Sequence, residues 1–211
     1  MPKQLNTVKM PSPATPARDS YHHGDLRGAL LRVGEEVLAE RGPAGFSLRE
    51  VARRAGVSPA APAHHFGDAR GLLTAIAAGG FRRLDQALAA AAEGAAGRKV
   101  EALAAAYLGF ARANAALFSL MWMQDLLDGT DPGYVAAGRS AFNSFERAAS
   151  GRDVPVATGP HVPDAHVLAA WAMAHGYARL ALDGALAPVP DDMAAAVFRH
   201  LPGPPGDPSG A

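Results

Sequence analysis

Histidine is the residue type that first suggests chemistry in this sequence, because eight histidines are present and four of them stand in adjacent pairs. The pairs are His22-His23 and His64-His65. Adjacent side chains on a helix point about 100° apart, whereas a helical zinc site uses histidines four residues apart. Neither pair therefore predicts a chelate, and we expect no metal and no other cofactor.

Catalytic motifs do not accompany the histidines. The sequence contains no G-x-S-x-G elbow, no P-loop and no H-E-x-x-H motif. It also contains no cysteine, which excludes a thiolate nucleophile and a disulfide framework and fits a reducing, cytoplasmic location. We therefore expect no enzyme, with a small helical acid–base enzyme as the alternative.

Arginine supplies a second kind of chemistry, the binding of phosphate. Arg49, Arg53 and Arg54 project from a predicted helix whose other face is apolar. The apolar residues are Leu48, Val51 and Ala52. Outward arginines suit contact with a DNA backbone, although a solvated helix face would carry the same residues.

Charge is distributed unevenly along the chain. Residues 1–85 hold 12 Lys and Arg against 8 Asp and Glu, a net charge of +4, whereas residues 86–211 hold 8 against 12, a net charge of −4. A basic N-terminal part beside an acidic remainder is typical of a DNA-contacting domain joined to an effector domain. The apolar runs are alanine-rich and far shorter than the roughly 20 residues of a membrane span, so no membrane partner is expected.

The spacing of apolar residues, and the Gly and Pro residues between the apolar segments, predict an all-α fold. No stretch alternates with the period of a strand. The predicted helices cover residues 25–41, 48–55, 59–66, 68–93, 100–113, 116–127, 134–149, 165–187 and 191–201.

A short glycine-containing turn, residues 55–58, joins the second and third predicted helices. Ser47 and Glu50 are spaced as a capping box at the start of the second helix. Ser58 is expected to cap the third helix, with Pro59 at its first position, where a missing N–H costs nothing. Two helices joined in this way form a helix-turn-helix, which presents its second helix to a major groove.

The order of these elements resembles the TetR family of bacterial transcription regulators over residues 21 to 73. The matching runs are Ser47-Leu48-Arg49-Glu50-Val51-Ala52-Arg53-Arg54-Ala55-Gly56-Val57-Ser58, His64-His65-Phe66 and Leu72-Leu73. Tyr21-His22-His23-Gly24-Asp25-Leu26-Arg27 and Ala60-Ala61-Pro62 resemble one branch of that family. The tryptophan-histidine-glycine (WHG) signature of that branch's C-terminal domain is matched by Trp171, His175, Gly176, Leu180 and Gly184.

The resemblance implies a homodimer that binds palindromic operator DNA, and a repressor that a small apolar or amphipathic effector releases. Residues 59–66 would then be the recognition helix. By position, Ser47 and Arg49 would meet phosphates, and the residues at the groove or its rim would be Ser58, Pro59, Ala60, His64 and His65.

Two positions depart from the family pattern. Ala63 replaces a common aromatic residue, and Ala69 stands where a lysine is often found. Both of those side chains bind phosphate, so affinity is expected to rest more on His22, His23, Arg27, Arg53 and His64. The alternative is a helical protein-interaction module whose head no longer binds DNA.

Large, adaptable apolar side chains concentrate in the C-terminal half and form the predicted ligand pocket. They are Tyr107, Phe110, Phe118, Met121, Trp122, Phe142, Trp171 and His175. Helix bundles build ligand sites between helices from such residues. The same residues also fill ordinary cores, and the sequence leaves both interpretations open.

The dimer interface is predicted on the last two long helices, because residues 165–187 carry a broad stripe of apolar and small side chains at helical spacing. The stripe contains Val167, Leu168, Trp171, Ala174, His175, Ala178, Leu182 and Ala185. Ala178 is expected at the outer edge of the interface, with burial in the subunit's own core as the alternative.

These observations predict five parts of the chain. They are a disordered arm (1–18), a helix-turn-helix DNA-binding domain (19–67), a linking helix (68–93), a ligand-binding and dimerisation domain (94–201) and a disordered tail (202–211).

Overall fold

The computed structural model describes residues 25–95, 99–150, 162–186 and 193–199, and every regular element in these ranges is helical. The all-α prediction is therefore confirmed. The helices are α1 (Leu26–Arg41), α2 (Leu48–Arg54), α3 (Ala61–Phe66), α4 (Ala69–Gly94), α5 (Lys99–Ala113), α6 (Ala115–Met121), α7 (Pro132–Ser150), α8 (Ala165–Leu182) and α9 (Met193–Phe198). The predicted arm and tail, with His22 and His23, lie outside the described residues.

Helices α1 and α4 begin in the same way, with an aspartate whose side chain caps the first turn. Asp25 Oδ1 accepts from the Gly28 amide at 2.8 Å, and Asp68 Oδ1 accepts from the Gly71 amide at 2.9 Å. These bonds satisfy amides that the helix itself leaves without a partner. At Gly71 the carbonyl of Phe66 comes so close that a Cβ would overlap it. Glycine is therefore required at the sharp passage from α3 into α4.

Helix α4 is the centre of the molecule. It packs along α7 and also against α1, α3, α5 and α6. Its buried residues, among them Leu72, Ile76 and Leu84, belong to one apolar core that continues from α1 to α8. At Gly80 the backbone of α4 approaches α6 so closely that a Cβ would lie 2.7 Å from Met121 Sδ. A side chain at position 80 would therefore push the two helices apart.

The helix-turn-helix differs from the prediction at its caps. Ser47 is the N-cap of α2, but its side chain makes no capping hydrogen bond. The Glu50 carboxylate accepts from Arg53 and Arg54 instead of completing the box. Helix α3 begins at Ala61 and not at Pro59, so the prediction that Ser58 caps it is wrong. Ser58 instead accepts the Ala61 amide through its backbone carbonyl at 3.0 Å, which forms a turn before the helix.

Two C-terminal helices are shorter than predicted. Helix α6 ends at Met121, and a 3-10 turn at Gln124–Leu126 follows within the predicted range 116–127. Helix α8 ends at Leu182, and Gly184 with φ 77° sets the left-handed turn that stops it before residue 187. Of the predicted helix 191–201, the described part is α9.

Helix α8 buries one narrow face within the subunit. That face consists of Val167, Ala170, Ala174 and Ala178, which are at most 1% exposed. The prediction that Ala178 lies at the edge of a dimer interface is therefore wrong, because the residue is already covered by its own chain. The opposite face is exposed, with Leu168 at 50% and Leu180 at 49%.

Among the described residues, no single helix is long and apolar enough to cross a membrane. Helices α5 and α6 pass that test of length and composition only as a pair, across a bend of 108°.

Candidate DNA-binding surface and ligand cavity

The helix-turn-helix is positioned by a small core. Helix α2 packs on α1 and α3, with Val51, Ala52 and Ala55 buried. The chain then reverses at Gly56, whose φ of 67° favours glycine, and the Val57 amide closes the turn on the Ala52 carbonyl at 3.1 Å. Helix α3 is thereby held at the surface with Ala63, His64 and His65 exposed.

Glu50 is the electrostatic centre of α2. Its carboxylate accepts from Arg53 at 2.8 and 2.9 Å and from Arg54 at 2.8 Å, and Arg41 of α1 lies 3.4 Å away. The hydrogen bonds from Arg53 and Arg54 lower the pKa of Glu50 to about 2. Arg54 also donates to Glu40 at 2.6 and 2.7 Å. Arg54 therefore holds α2 on α1. The sequence predicted that Arg54 projects outward, but its guanidinium is paired with Glu40 and Glu50.

A shallow depression of mixed polarity opens beside this cluster. Its residues are Arg41, Ser47, Arg49, Glu50, Arg53, Val57 and Pro59. The structure thus brings together four of the predicted DNA contacts, Ser47, Arg49, Arg53 and Pro59. It adds Arg41 and Glu50, which sequence reasoning missed because their proximity depends on how α1 packs on α2. Three guanidinium groups around one hollow can bind phosphate oxygens.

The remaining predicted DNA contacts are distributed over α3 and α1. Ser58, Pro59, Ala60, His64 and His65 are all exposed, and the two imidazole rings lie 5.6 Å apart in an edge-to-face arrangement. Arg27 stacks its guanidinium over the Phe66 ring at 4.9 Å. These positions leave the exposed side of α3 rich in hydrogen-bonding and apolar groups that could reach base edges.

A partly open cavity of about 160 Å³ lies between α4 and the C-terminal helices. Helix α4 contributes Phe81, Leu84 and Leu88 to its wall. The remaining lining residues are Tyr107, Trp122, Gly138, Ala141, Phe142, Phe145 and Trp171. The lining carries no charged side chain and is mostly aromatic, as is typical of a site for an uncharged organic molecule.

Half of the predicted pocket residues line this cavity. Tyr107, Trp122, Phe142 and Trp171 do so, whereas Phe110, Phe118, Met121 and His175 pack beside it. His175 is nevertheless close, since its ring lies 4.6 Å from that of Trp122. The residues that the sequence missed are mainly on α4 and α7.

The polar edge of the cavity is a hydrogen-bonded group of aromatic residues. The Tyr107 hydroxyl lies 3.0 Å from His175 Nδ1. Burial raises the pKa of Tyr107. Burial, and then the charge of Arg179, lowers the pKa of His175. Both groups are therefore neutral at pH 7.

The first turns of α4 are tied to the segment that follows the cavity wall. Arg70 donates to the carbonyl of Leu127. Thr74 Oγ1 accepts from the Asp128 amide at 2.9 Å and donates to the Arg70 carbonyl at 2.7 Å. Trp122 lines the cavity, and Leu127 follows it after one 3-10 turn. These bonds therefore connect the cavity wall to the first turns of α4.

A helix-turn-helix head followed by a helical domain with an internal cavity defines a class, the helix-turn-helix transcription regulators. Residues 30–76 match the family model described as bacterial regulatory proteins, tetR family. Residues 100–202 match the model described as tetracyclin repressor-like, C-terminal domain. The chain belongs to the TetR family, a family of non-enzymatic transcription factors, and the predicted resemblance is confirmed.

Solved structures share this fold. A protein of unknown function from Rhodococcus sp. RHA1 is 38% identical, with a TM-score of 0.72 over 87% of this chain and 98% of that chain. A TetR-family member from Streptomyces coelicolor A3 is 18% identical, with a TM-score of 0.60 over 84% and 98% of the two chains. The TetR-family regulator PfmR from Thermus thermophilus is 20% identical, with a TM-score of 0.56 over 84% and 96%. No curated protein matches the sequence.

Over residues 25–95, 99–150, 162–186 and 193–199, no group of three His, Asp or Glu side chains could hold a metal ion.

Proposed function

We propose that this TetR-family regulator is a repressor that leaves its operator when a small apolar molecule enters the cavity. Regulators of this family bind operator DNA and small-molecule effectors and act as dimers. One observation carries the proposal for this chain. Helix α4 lines the cavity through Phe81, Leu84 and Leu88, and its first residue, Ala69, follows the last residue of α3 by only three positions.

This arrangement supports release by linkage. A molecule that favours a different orientation of α4 also favours a different orientation of α3. The spacing of the two recognition helices in a dimer then changes as well. The ligand then weakens DNA binding by the same factor by which DNA weakens ligand binding. The tether from Arg70 and Thr74 to the loop at Leu127 and Asp128 supports a rigid connection.

A variant that fills the cavity without a ligand tests the proposal. Ala141 lies in the cavity wall, so Ala141→Leu adds three carbon atoms to the space that a ligand would occupy. We expect operator affinity to fall by about five- to 150-fold, the range of typical allosteric couplings of about 1–3 kcal/mol. The matched control is Ala136→Leu, on an exposed position of the same helix α7, which should bind as the wild type does.

The result is read together with circular dichroism, because an overpacked core loses about 1–3 kcal/mol of stability. A folded Ala141→Leu protein with wild-type operator affinity would contradict release through the cavity. It would leave the assignment to the TetR family untouched.

The proposed operator contacts are Ser47, Arg49 and Arg53 for phosphates, and the exposed side of α3 with His64 and His65 for the groove. The +4 charge of residues 1–85 adds attraction that does not depend on DNA sequence. Selection of binding sites from random DNA should return a palindrome whose half-sites lie about one helical turn apart, ~34–36 Å, or slightly more. A single unpaired half-site would contradict binding as a dimer.

The homodimer is proposed to form through the exposed stripe of α8. Ala165, Leu168, Ala169, Ala172 and Leu180 are exposed and fall on one side of the helix. Gly176 lies within the same stripe, and nothing stands within 4 Å of the place where its Cβ would be. Small residues let two helices approach closely, and equivalent stripes suit a two-fold axis.

The domain limits remain proposals as well. We propose a DNA-binding head at residues 19–67 and an effector domain at 94–201, with residues 68–93 shared between them because α4 lines the cavity. Since operator DNA is cytoplasmic in bacteria, we also place the protein in the cytoplasm.

A further inference from the structure

Helix α2 carries two proposed phosphate ligands that are in different states. Arg49 and Arg53 stand about one helical turn apart, and both border the shallow depression beside α2. Arg49 is exposed, and no carboxylate in the described part of the chain pairs with it. Arg53 is also exposed, at 69% of its side chain, but Glu50 binds its guanidinium. One proposed phosphate ligand is therefore free, and the other is occupied.

Glu50 occupies an edge of the Arg53 guanidinium that could bind a phosphate. Arg53 Nε donates to Glu50 Oε2 at 2.9 Å, and Arg53 Nη2 donates to Glu50 Oε1 at 2.8 Å. Two parallel hydrogen bonds of this kind are also the arrangement in which arginine binds phosphate. The carboxylate therefore stands where two phosphate oxygens would stand, and Arg53 cannot offer this edge to DNA while Glu50 holds it.

The other partners of Glu50 make an exchange possible. Its Oε1 atom also accepts from Arg54 Nε at 2.8 Å, and Arg41 Nη2 lies 3.4 Å away. The Glu50 side chain is only 14% exposed, so losing every partner would leave a poorly hydrated charge. When Arg53 leaves for a phosphate, however, Arg54 and Arg41 still neutralise the carboxylate. Arg53 is therefore the one partner of the three that can move out to DNA.

We propose that Glu50 is a specificity-determining residue, which holds Arg53 in the free protein and releases it only to a DNA phosphate in the matching position. The inference rests on the proposed role of the head in operator binding. A phosphate contact by itself carries no sequence information. It becomes selective when the arginine must first leave a carboxylate, because a loosely seated complex offers no phosphate placed to replace that carboxylate. Glu50 then weakens binding to non-specific DNA more than binding to the operator.

The variant Glu50→Gln tests the inference, because glutamine keeps the shape of the side chain and removes its charge. We expect Arg53 to become available to any phosphate. Affinity for scrambled DNA should then rise more than affinity for the palindrome selected from random DNA, so that the ratio of the two affinities falls. For scrambled DNA, the slope of log affinity against log salt should increase in magnitude by about 1.8 for the dimer, about 0.9 from each subunit.

The matched control is Glu40→Gln, which removes the same charge from the same cluster. Glu40 is 55% exposed and accepts from Arg54 at 2.6 and 2.7 Å. Arg53 stays on Glu50 in this variant, so the ratio of affinities should change little. A general effect of charge would instead change both variants alike, and this outcome would contradict the proposal.

Two variants of Arg53 identify it as the side chain that Glu50 releases. In an Arg53→Ala background, Glu50→Gln should no longer steepen the salt dependence, since a double-mutant cycle isolates the contribution of the pair. Arg53→Lys keeps the positive charge but cannot form the two parallel hydrogen bonds to Glu50. It should lower the ratio of affinities in the same direction as Glu50→Gln, and it decides the question even where Glu50→Gln fails to fold.

Fluorescence titrations of the full chain at several salt concentrations give the slopes and ratios, and thermal melting is measured beside them. A purely structural role of Glu50 would lower the melting temperature and both affinities together, without a steeper slope, and would overturn the inference. So would an unchanged ratio in Arg53→Lys. In either case, operator binding by the wild type still supports the proposed function. If the wild type and every variant fail to bind DNA, both the inference and the proposed function are wrong.

Discussion

The hydroxyl of Tyr107 lies 3.0 Å from Nδ1 of His175, and this hydrogen bond joins α5 to α8 beside the cavity. Tyr107 is fully buried. Burial raises the pKa of the phenol and lowers the pKa of the imidazole. The two shifts act together, because both favour the pair in which the phenol and the imidazole are neutral.

The first prediction is that stability falls below pH 6.5 because of His175. Folding lowers the pKa of His175 from its ordinary value of 6.5, so the unfolded chain binds the proton more readily. Its contribution is fully present above pH 6.5 and is lost as the pH falls from 6.5 through the folded pKa. Urea midpoints between about pH 7 and pH 5 should therefore fall more for the wild type than for His175→Gln.

The control for this titration is His64→Gln, since His64 is exposed on α3. It should follow the wild-type curve. Identical curves for the wild type and His175→Gln would show that the Tyr107–His175 pair does not cause the loss of stability below pH 6.5.

The second prediction separates phosphate contacts from base contacts. Arg49 is exposed on α2 and forms no ion pair with the described residues, so Arg49→Ala should weaken binding to specific and scrambled DNA alike. The slope of log affinity against log salt should decrease in magnitude by about 1.8 for the dimer, because each subunit loses one phosphate contact and each contact contributes about 0.9. His64→Ala, on the recognition helix, should instead change the ratio of the two affinities.

Fluorescence titrations with both duplexes at several salt concentrations measure these effects. Arg54→Ala is an informative comparison, because Arg54 is held by Glu40 and Glu50 and should affect thermal stability more than the salt slope. Equal losses on both duplexes for Arg49→Ala and His64→Ala would refute the distinction.

The third prediction concerns the connection between cavity and head. Thr74→Val keeps the shape of the side chain but removes the oxygen that accepts the Asp128 amide. We expect ligand affinity to persist while the ligand-dependent loss of operator affinity becomes smaller. The unpaired amide should also cost about 1–3 kcal/mol of stability.

Operator affinity is measured with and without saturating ligand for the wild type, Thr74→Val and Thr130→Val. Thr130 is exposed in the same loop and bonds only locally, to Asp128 at 2.6 Å, so its variant should couple normally. An unchanged ratio of affinities in Thr74→Val would show that the signal passes elsewhere, for instance through the close contact of Gly80 with Met121.

The framework of the head was predictable from local signals. Asp25 and Asp68 stand where caps are needed, and Gly56 stands where the turn requires a positive φ. The role of Glu50 was not predictable in the same way. Its spacing from Ser47 fits a capping box, but Arg53 and Arg54 on its own helix compete for the carboxylate, and the packing of α1 brings Arg41 as a third partner.

The cavity shows a similar limit. Aromatic composition indicates Tyr107, Trp122, Phe142 and Trp171, which line the cavity, but it cannot distinguish the residues around a void from those that fill the core, such as Phe118. The spacing of apolar residues in a sequence shows that a side chain faces inward. It does not show how completely the neighbouring side chains fill the space around it. The contribution of α4 was missed because the helix was interpreted only as a link.

The last prediction tests the dimer with two substitutions on one helix. Ala172 is exposed on the outer stripe of α8, whereas Ala178 is 1% exposed and faces the core. Ala172→Glu should give a folded monomer with weakened operator binding, because each half-site would be bound without its partner. Ala178→Glu should unfold the subunit, since it buries a charge without a partner. Sedimentation and thermal melting distinguish the outcomes, and a dimeric, operator-competent Ala172→Glu protein would place the interface away from this stripe.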